Sequence, residues 1–225
     1  MTRAEIERRL RLYRPSNEPR ASFPSTGDLA GDLAIAQRGD HQLNQGQNPP
    51  ANPRPASVLV PLVEREPGLT VLLTQRTADL PRHAGQVAFP GGRWQESDVD
   101  QIATALRETQ EEVGLSPHHI EVVGRLDTYL TGTGFAVAPV VGFVRPPFEL
   151  RADPREVADI FEVPLAFFLD PAHHELRSAV WAGRERRFYV MPYENRYIWG
   201  ATAGMLKNLY DVLMADAEPV TVSEA

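Results

Sequence analysis

From Ser57 onward, short apolar runs rich in β-branched residues alternate with a few helical segments, and this interleaving most limits what the chain can fold into. Ser57–Val63 and Leu69–Thr74 flank the turn signal Glu66-Pro67-Gly68 and read as a β-hairpin. A third strand, Gln86–Phe89, runs into Pro90-Gly91-Gly92, through which no regular element is expected to continue. The clearest helix spans Asp98–Val113 and is stopped by Gly114. Further strands are expected at Ile120–Tyr129, Val137–Val144 and Arg187–Tyr193, with Thr131-Gly132-Thr133-Gly134 as a loop between the first two. A last helix, Ala201–Ala215, sets Met205, Leu209, Val212 and Leu213 on one side. Strands interleaved this way predict an α/β (α+β) fold: one sheet covered by helices on both faces.

The first residues add a helix. Thr2 and Glu5 form a capping-box pattern, and Ile6, Leu10 and Tyr13 follow at helical spacing, so residues 1–14 are expected to dock as a short helix. Pro, Asn, Gln, Gly and Ser then dominate 15–55, with QLNQGQNPPANPRP as the extreme, and this stretch reads as a mobile linker. The division expected is therefore a 1–14 helix, a 15–55 linker, a 56–216 main domain and a 217–225 tail. With 225 residues, two complete domains are not expected.

Zero cysteines leave oxygen and imidazole as the available metal donors. No apolar run approaches the roughly 20 residues needed to cross a bilayer, and the charged N-terminus is unlike a signal peptide, so a cytoplasmic location with no membrane partner is expected. A net charge of −7 speaks against nucleic acid as a partner and leaves a small anionic substrate, approached through a local basic patch or bridging cations. The oligomeric state stays open.

On the Asp98–Val113 helix, Ile102, Ala105, Leu106, Thr109 and Val113 form a stripe that should face the core. Glu108, Glu111 and Glu112 stand at i, i+3 and i+4, so their carboxylates project toward one region. Their repulsion turns favourable once a hard cation sits among them. Mg²⁺ or Mn²⁺ suits such a set, since both take oxygen ligands and keep waters that substrate phosphates displace. Arg107 lies four residues before Glu111, placed to orient it. Just upstream, Gly91 and Gly92 make a loop whose backbone can approach a phosphate.

The stretch from Gly92 through Arg107-Glu108-Thr109-Gln110-Glu111-Glu112-Val113-Gly114-Leu115 resembles the signature of the Nudix hydrolases. The core Arg-Glu-x-x-Glu-Glu-x-Gly-Leu is intact; Asp98 stands where the pattern has glutamate, eight residues rather than seven separate it from Arg107, and Thr109 replaces an apolar residue. The resemblance implies a Nudix-like α/β/α sandwich with a mixed central sheet. It also implies hydrolysis of a nucleoside diphosphate derivative, with Mg²⁺ or Mn²⁺ held chiefly by Glu108 and Glu112 and assisted by Glu111.

A second segment, Leu72–Gly92, looks like the motif of the coenzyme A diphosphatases within that superfamily, which cleave coenzyme A to 3′,5′-ADP and 4′-phosphopantetheine. Arg76, Arg82 and His83 would form a basic cluster able to receive the 3′-phosphate, or are ordinary surface charges and a structural histidine. Gln86 either orients ligand or water, or satisfies backbone groups in its strand. Glu156 and Glu162 read either as a general base or as surface residues. Trp199, opening the last helix, is read as packing. Rival readings are a hydrolase of ADP-ribose, NADH or a dinucleoside polyphosphate, and a nucleotide-sensing module without catalysis.

Overall fold

The computed structural model describes residues 1–13, 38–44, 46, 48, 51–80, 83–181 and 183–215. The chain opens with α1 (Arg3–Leu12), capped by Thr2, whose hydroxyl accepts from the Glu5 N–H at 3.3 Å. Ile6 and Leu10 are buried in the main core, while Arg3 reaches the carboxylates of Glu64 and Glu121.

After α1 come β1 (Arg38–Gly39), α2 (Asp40–Leu43), β2 (Arg54–Val63), β3 (Thr70–Arg76), β4 (Val87–Ala88), β5 (Gly91–Arg93) and α3 (Gln101–Val113). The chain continues through β6 (Ile120–Arg125), β7 (Tyr129–Leu130), β8 (Phe135–Val144), β9 (Val157–Pro164) and α4 (Leu165–Phe168). It closes with β10 (Glu175–Trp181), β11 (Arg184–Tyr193), β12 (Arg196–Trp199) and α5 (Gly200–Met214).

The main sheet runs β1-β7-β8-β2-β3-β4, with β5 also on β2, β6 on β8 and β9 on β3. It is mixed because β2 and β8 pair in parallel from Arg54↔Phe135 to Val63↔Val144, while β3, β5 and β6 pair antiparallel with their neighbours. A parallel pair needs a long crossover. The crossover between β2 and β8 contains α3.

Side chains alternate across this sheet with the period of two of an extended chain. Leu59 packs with Ala105 of α3 and Val63 with Val113, whereas Val60 and Leu62 join the cluster built by α1 and α5. Strand β8 repeats the pattern with Val140 and Val144 against Val141 and Phe143. Both faces are covered, which is why these strands read as unbroken apolar runs. The result is the three-layered α/β/α sandwich with a mixed central sheet.

Four expectations need correction. Gly91–Arg93 continues as a strand, because the glycine backbone fits beside β2 with Ser57 opposite Gly92. The strand expected over Ile120–Tyr129 is broken into β6 and β7. Helix α3 starts at Gln101 rather than Asp98, since the Asp100 carboxylate accepts from the Ala103 N–H at 2.7 Å and caps it. Part of the stretch read as a linker is docked: β1 pairs with β7, Asp40 accepts from the Tyr129 hydroxyl at 2.8 Å and the Gly132 N–H at 2.6 Å, and Asn44 bonds the Arg187 backbone at 2.7 and 3.1 Å. Polar composition there supplies hydrogen bonds to the domain rather than looseness. Residues 14–37 and the 217–225 tail lie outside the described residues.

Candidate active site

Helix α3 turns one face to the sheet and the other to an open cleft. Ala105, Thr109 and Val113 are buried. Thr109 is tolerated where an apolar side chain was expected because its hydroxyl donates to the Ala105 carbonyl at 2.7 Å. Gly114 ends the helix in the left-handed conformation at φ +71°.

Glu108, Glu111 and Glu112 line a cleft of about 250 Å³ whose other wall is Asp153, Arg155 and Glu156. The three glutamates differ in surroundings. Glu112 is 5% exposed; its Oε2 accepts from the Gly91 N–H at 3.1 Å, and its Oε1 has the Arg76 guanidinium 3.6 Å away. Burial pushes its carboxyl up to about 7 against the pull of that N–H and of Arg76. Burial also raises Glu108, opposed by Arg107 at 2.9 Å. Glu111 is largely exposed, 3.3 Å from the same guanidinium. The backbone of Gly92 runs against the Glu108 carboxylate, so a β-carbon there would fall on it.

Arg107 is locked in place. Its Nε and Nη2 donate to the two Asp98 oxygens at 2.8 and 2.9 Å, Nη2 also reaches the Arg93 carbonyl at 3.0 Å, and Nη1 holds Glu108 and Glu111. Asp98 in turn accepts from the Gln95 N–H and the Thr104 hydroxyl. The sequence gives Asp98 no clear role; the structure makes it the anchor of the arginine that orients two cleft glutamates. Asp153 and Arg155 were also missed, and no local sequence signal points to them.

The Arg107 guanidinium holds the Asp98 carboxyl down at about 2, with the backbone and Thr104 hydrogen bonds adding to it. A carboxyl lowered on folding stabilises the fold above its unfolded pKa near 4, and that stabilisation is lost as pH falls through about 2. Asp98→Asn is therefore expected to cost about 2 kcal/mol at pH 7. The gap to wild type should close as pH falls from about 4 toward 2 in urea unfolding; an equal gap at pH 2 would refute the role of charge.

The remaining candidate residues are placed differently from the basic cluster expected. Arg76 lies beside the carboxylate cleft, between Glu112 at 3.6 Å and Glu156 at 3.7 Å, at the end of β3 where that strand pairs antiparallel with β9. His83 is exposed, and its Nδ1 meets Gln86 Oε1 at 2.8 Å, so these two occupy each other. Arg82 lies outside the described residues. Glu162 is tied to Arg65 and Thr70 away from the cleft, leaving Glu156 as the later glutamate that reaches it. Trp199 packs edge-on against Phe188.

An oxygen-only set fits a hard divalent cation, and buried Glu112 has one oxygen, Oε1, without a hydrogen bond among the described residues. Among the described residues no three acidic or imidazole side chains are close enough to hold an ion as they stand, because Glu108 and Glu111 lean on Arg107. No helix among the described residues is long and apolar enough to cross a membrane.

The family pattern described as the NUDIX domain matches residues 53–185. A protein called uncharacterized Nudix hydrolase NudL from Citrobacter koseri is 46% identical over 159 residues, covering 70% of this chain and 82% of that protein. One of the same name from Cronobacter sakazakii is 45% identical over 159 residues, with the same coverage of 70% and 82%. Among solved structures, a C. elegans Ap4A hydrolase binary complex aligns at a TM-score of 0.43 and 20% identity, covering 49% of this chain and 80% of that one.

Proposed function

This chain belongs to the NUDIX domain family and is a hydrolase of nucleoside diphosphate derivatives, and from that premise we propose that its substrate is coenzyme A or acyl-CoA, cut to 3′,5′-ADP and (acyl-)4′-phosphopantetheine. The observation that carries the reading is the placement of the segment Leu72–Gly92, whose likeness to the coenzyme A diphosphatase motif is noted above. It runs along β3, β4 and β5, bringing Arg76 and the Gly91 N–H against Glu112 and the Gly92 backbone against Glu108. Asp153 and Arg155 bound the other side.

In this reading Glu108 and Glu112, with Glu111, would hold Mg²⁺ or Mn²⁺. Such an ion would supply Lewis-acid charge to the substrate's diphosphate. Arg107 holds Glu108 and Glu111 beside the cleft and is itself fixed by Asp98. The Gly91 N–H fixes one oxygen of Glu112. Gly92, lacking a side chain, leaves Glu108 its place. Glu156, half exposed on the facing wall, is positioned to accept a proton from attacking water. Arg76 supplies positive charge for the substrate's phosphates. The catalytic domain in this reading is residues 56–216 with α1 and residues 38–44 docked on it.

The test is turnover of purified protein with Mn²⁺ on coenzyme A, acetyl-CoA, ADP-ribose, NADH and a dinucleoside polyphosphate. Coenzyme A and its thioester are expected to give the highest kcat/KM, and ¹⁸O-labelled water is expected to place the label on one cleavage product. ADP-ribose turned over equally well or better would replace the substrate assignment while leaving the reaction class intact.

A further inference from the structure

Two arginines flank the same carboxylates and are held in opposite ways. Arg107 donates to Asp98, Glu108, Glu111 and the Arg93 carbonyl at 2.8 to 3.3 Å. Arg76 sits at ion-pair distance only: Nη1 is 3.6 Å from Glu112 and Nη2 is 3.7 Å from Glu156, both longer than the roughly 2.7–2.9 Å of a charge-assisted hydrogen bond. Its Nε is buried and has no hydrogen-bond partner among the described residues. The side chain as a whole is 25% exposed and no hydrogen-bond network among the described residues fixes the guanidinium where it stands, so the unpaired Nε is a cost the resting arrangement carries.

The position of Arg76 is also the position where a cation is needed. Its guanidinium faces Glu112 Oε1, the oxygen that no backbone N–H holds. Glu156 across the cleft shares the same guanidinium. A divalent ion entering among Glu108, Glu111 and Glu112 meets that positive charge at close range.

We propose that Arg76 is the counter-cation of the metal-free cleft: it neutralises Glu112 and Glu156 while no metal is bound, and metal entry displaces it toward the anionic substrate. The inference rests on the reading of Glu112 as a metal ligand. Loose tethering to two carboxylates lets the guanidinium exchange partners without breaking a hydrogen-bond network of the kind that locks Arg107. The same group therefore opposes metal binding before the substrate arrives and favours substrate binding afterwards.

The experiment is Mn²⁺ titration of the substrate-free protein, followed by electron paramagnetic resonance or calorimetry, on wild type, Arg76→Gln, Arg76→Met, Arg76→Lys and Glu112→Gln. Removing a unit positive charge from this partly exposed cleft is expected to tighten Mn²⁺ binding about tenfold in either neutral variant. Arg76→Lys, which keeps the charge, is expected to stay within about twofold of wild type. With Mn²⁺ saturating, the neutral variants are expected to raise KM for coenzyme A. Unchanged or weaker Mn²⁺ binding in both neutral variants would overturn the proposal, as would equal tightening in Arg76→Lys. Glu112→Gln binding Mn²⁺ like wild type would instead overturn the ligand assignment on which the proposal stands, so the two failures are told apart within one titration series.

Discussion

Glu112→Gln is expected to lower kcat on coenzyme A by a factor on the order of 10²–10⁴, the scale of a lost group at a reacting centre, while making the metal-free protein more stable at alkaline pH. The two effects have one cause. Glu112 is buried with one hydrogen bond, so its folded-state pKa is raised to about 7, above the roughly 4.3 of an exposed glutamate. Between those values the folded protein binds a proton that the unfolded chain has released. Stability of the metal-free protein therefore falls as pH rises from about 4 to about 7 and stays at the lower value above that range. Glutamine keeps the acceptor for the Gly91 N–H and removes the buried charge, for a gain approaching about 3 kcal/mol at pH 8 and none at pH 4. Urea unfolding of both proteins in a chelator, at pH 4 and pH 8, reads the stability effect, and steady-state kinetics with Mn²⁺ reads the other. Wild-type turnover in the variant would remove Glu112 from the active set. A stability gain without loss of turnover would leave it as a buried surplus charge.

Gly92→Ala is expected to cost on the order of 10²-fold in kcat/KM with little change in stability. The new methyl group would fall on the Glu108 carboxylate, within 2.7 Å of Oε1. What must move is the far end of one side chain rather than backbone, so α3 and β5 keep their places. Displacing a reacting group by about 1 Å is enough for a loss of that size. A variant that melts with wild type and turns over at the wild-type rate would show that the position of Glu108 is not limiting. Gly114→Ala separates the two kinds of glycine: at φ +71° it strains the backbone at the end of α3, so stability is expected to fall there.

The parts of the fold that were legible in the sequence are those fixed by local patterns. Thr2 with Glu5, Ile6 with Leu10, and Gly114 at the end of α3 each act within a few residues, and β2 and β8 announce burial on two faces by unbroken apolar runs. Strand β10 gave no signal because nearly all of it is exposed, with Leu176, Val180 and Trp181 open, so no alternation marks it. Strand β9 was hidden by Asp159, Glu162 and a terminal Pro164. Within the site, the i, i+3, i+4 spacing of the glutamates brought them into one cleft as expected. The partners of Arg76 were not legible, because pairing of β3 with β9 sets them and that pairing joins distant parts of the chain. Asp98 was misplaced for a related reason: its value lies in a fork-shaped match to Arg107, a property of geometry rather than of spacing.

The docked residues 38–44 have a practical consequence. Trimming the chain to residue 53, where the family pattern begins, would strip the Tyr129 hydroxyl and Gly132 N–H of Asp40, and the Arg187 backbone of Asn44. Each polar group left without a partner costs about 1–3 kcal/mol where water cannot replace the bond. The minimal unit that folds well is therefore expected to be longer than its sequence match, with a left-hand border drawn by hydrogen bonds that no pattern of apolar residues reveals.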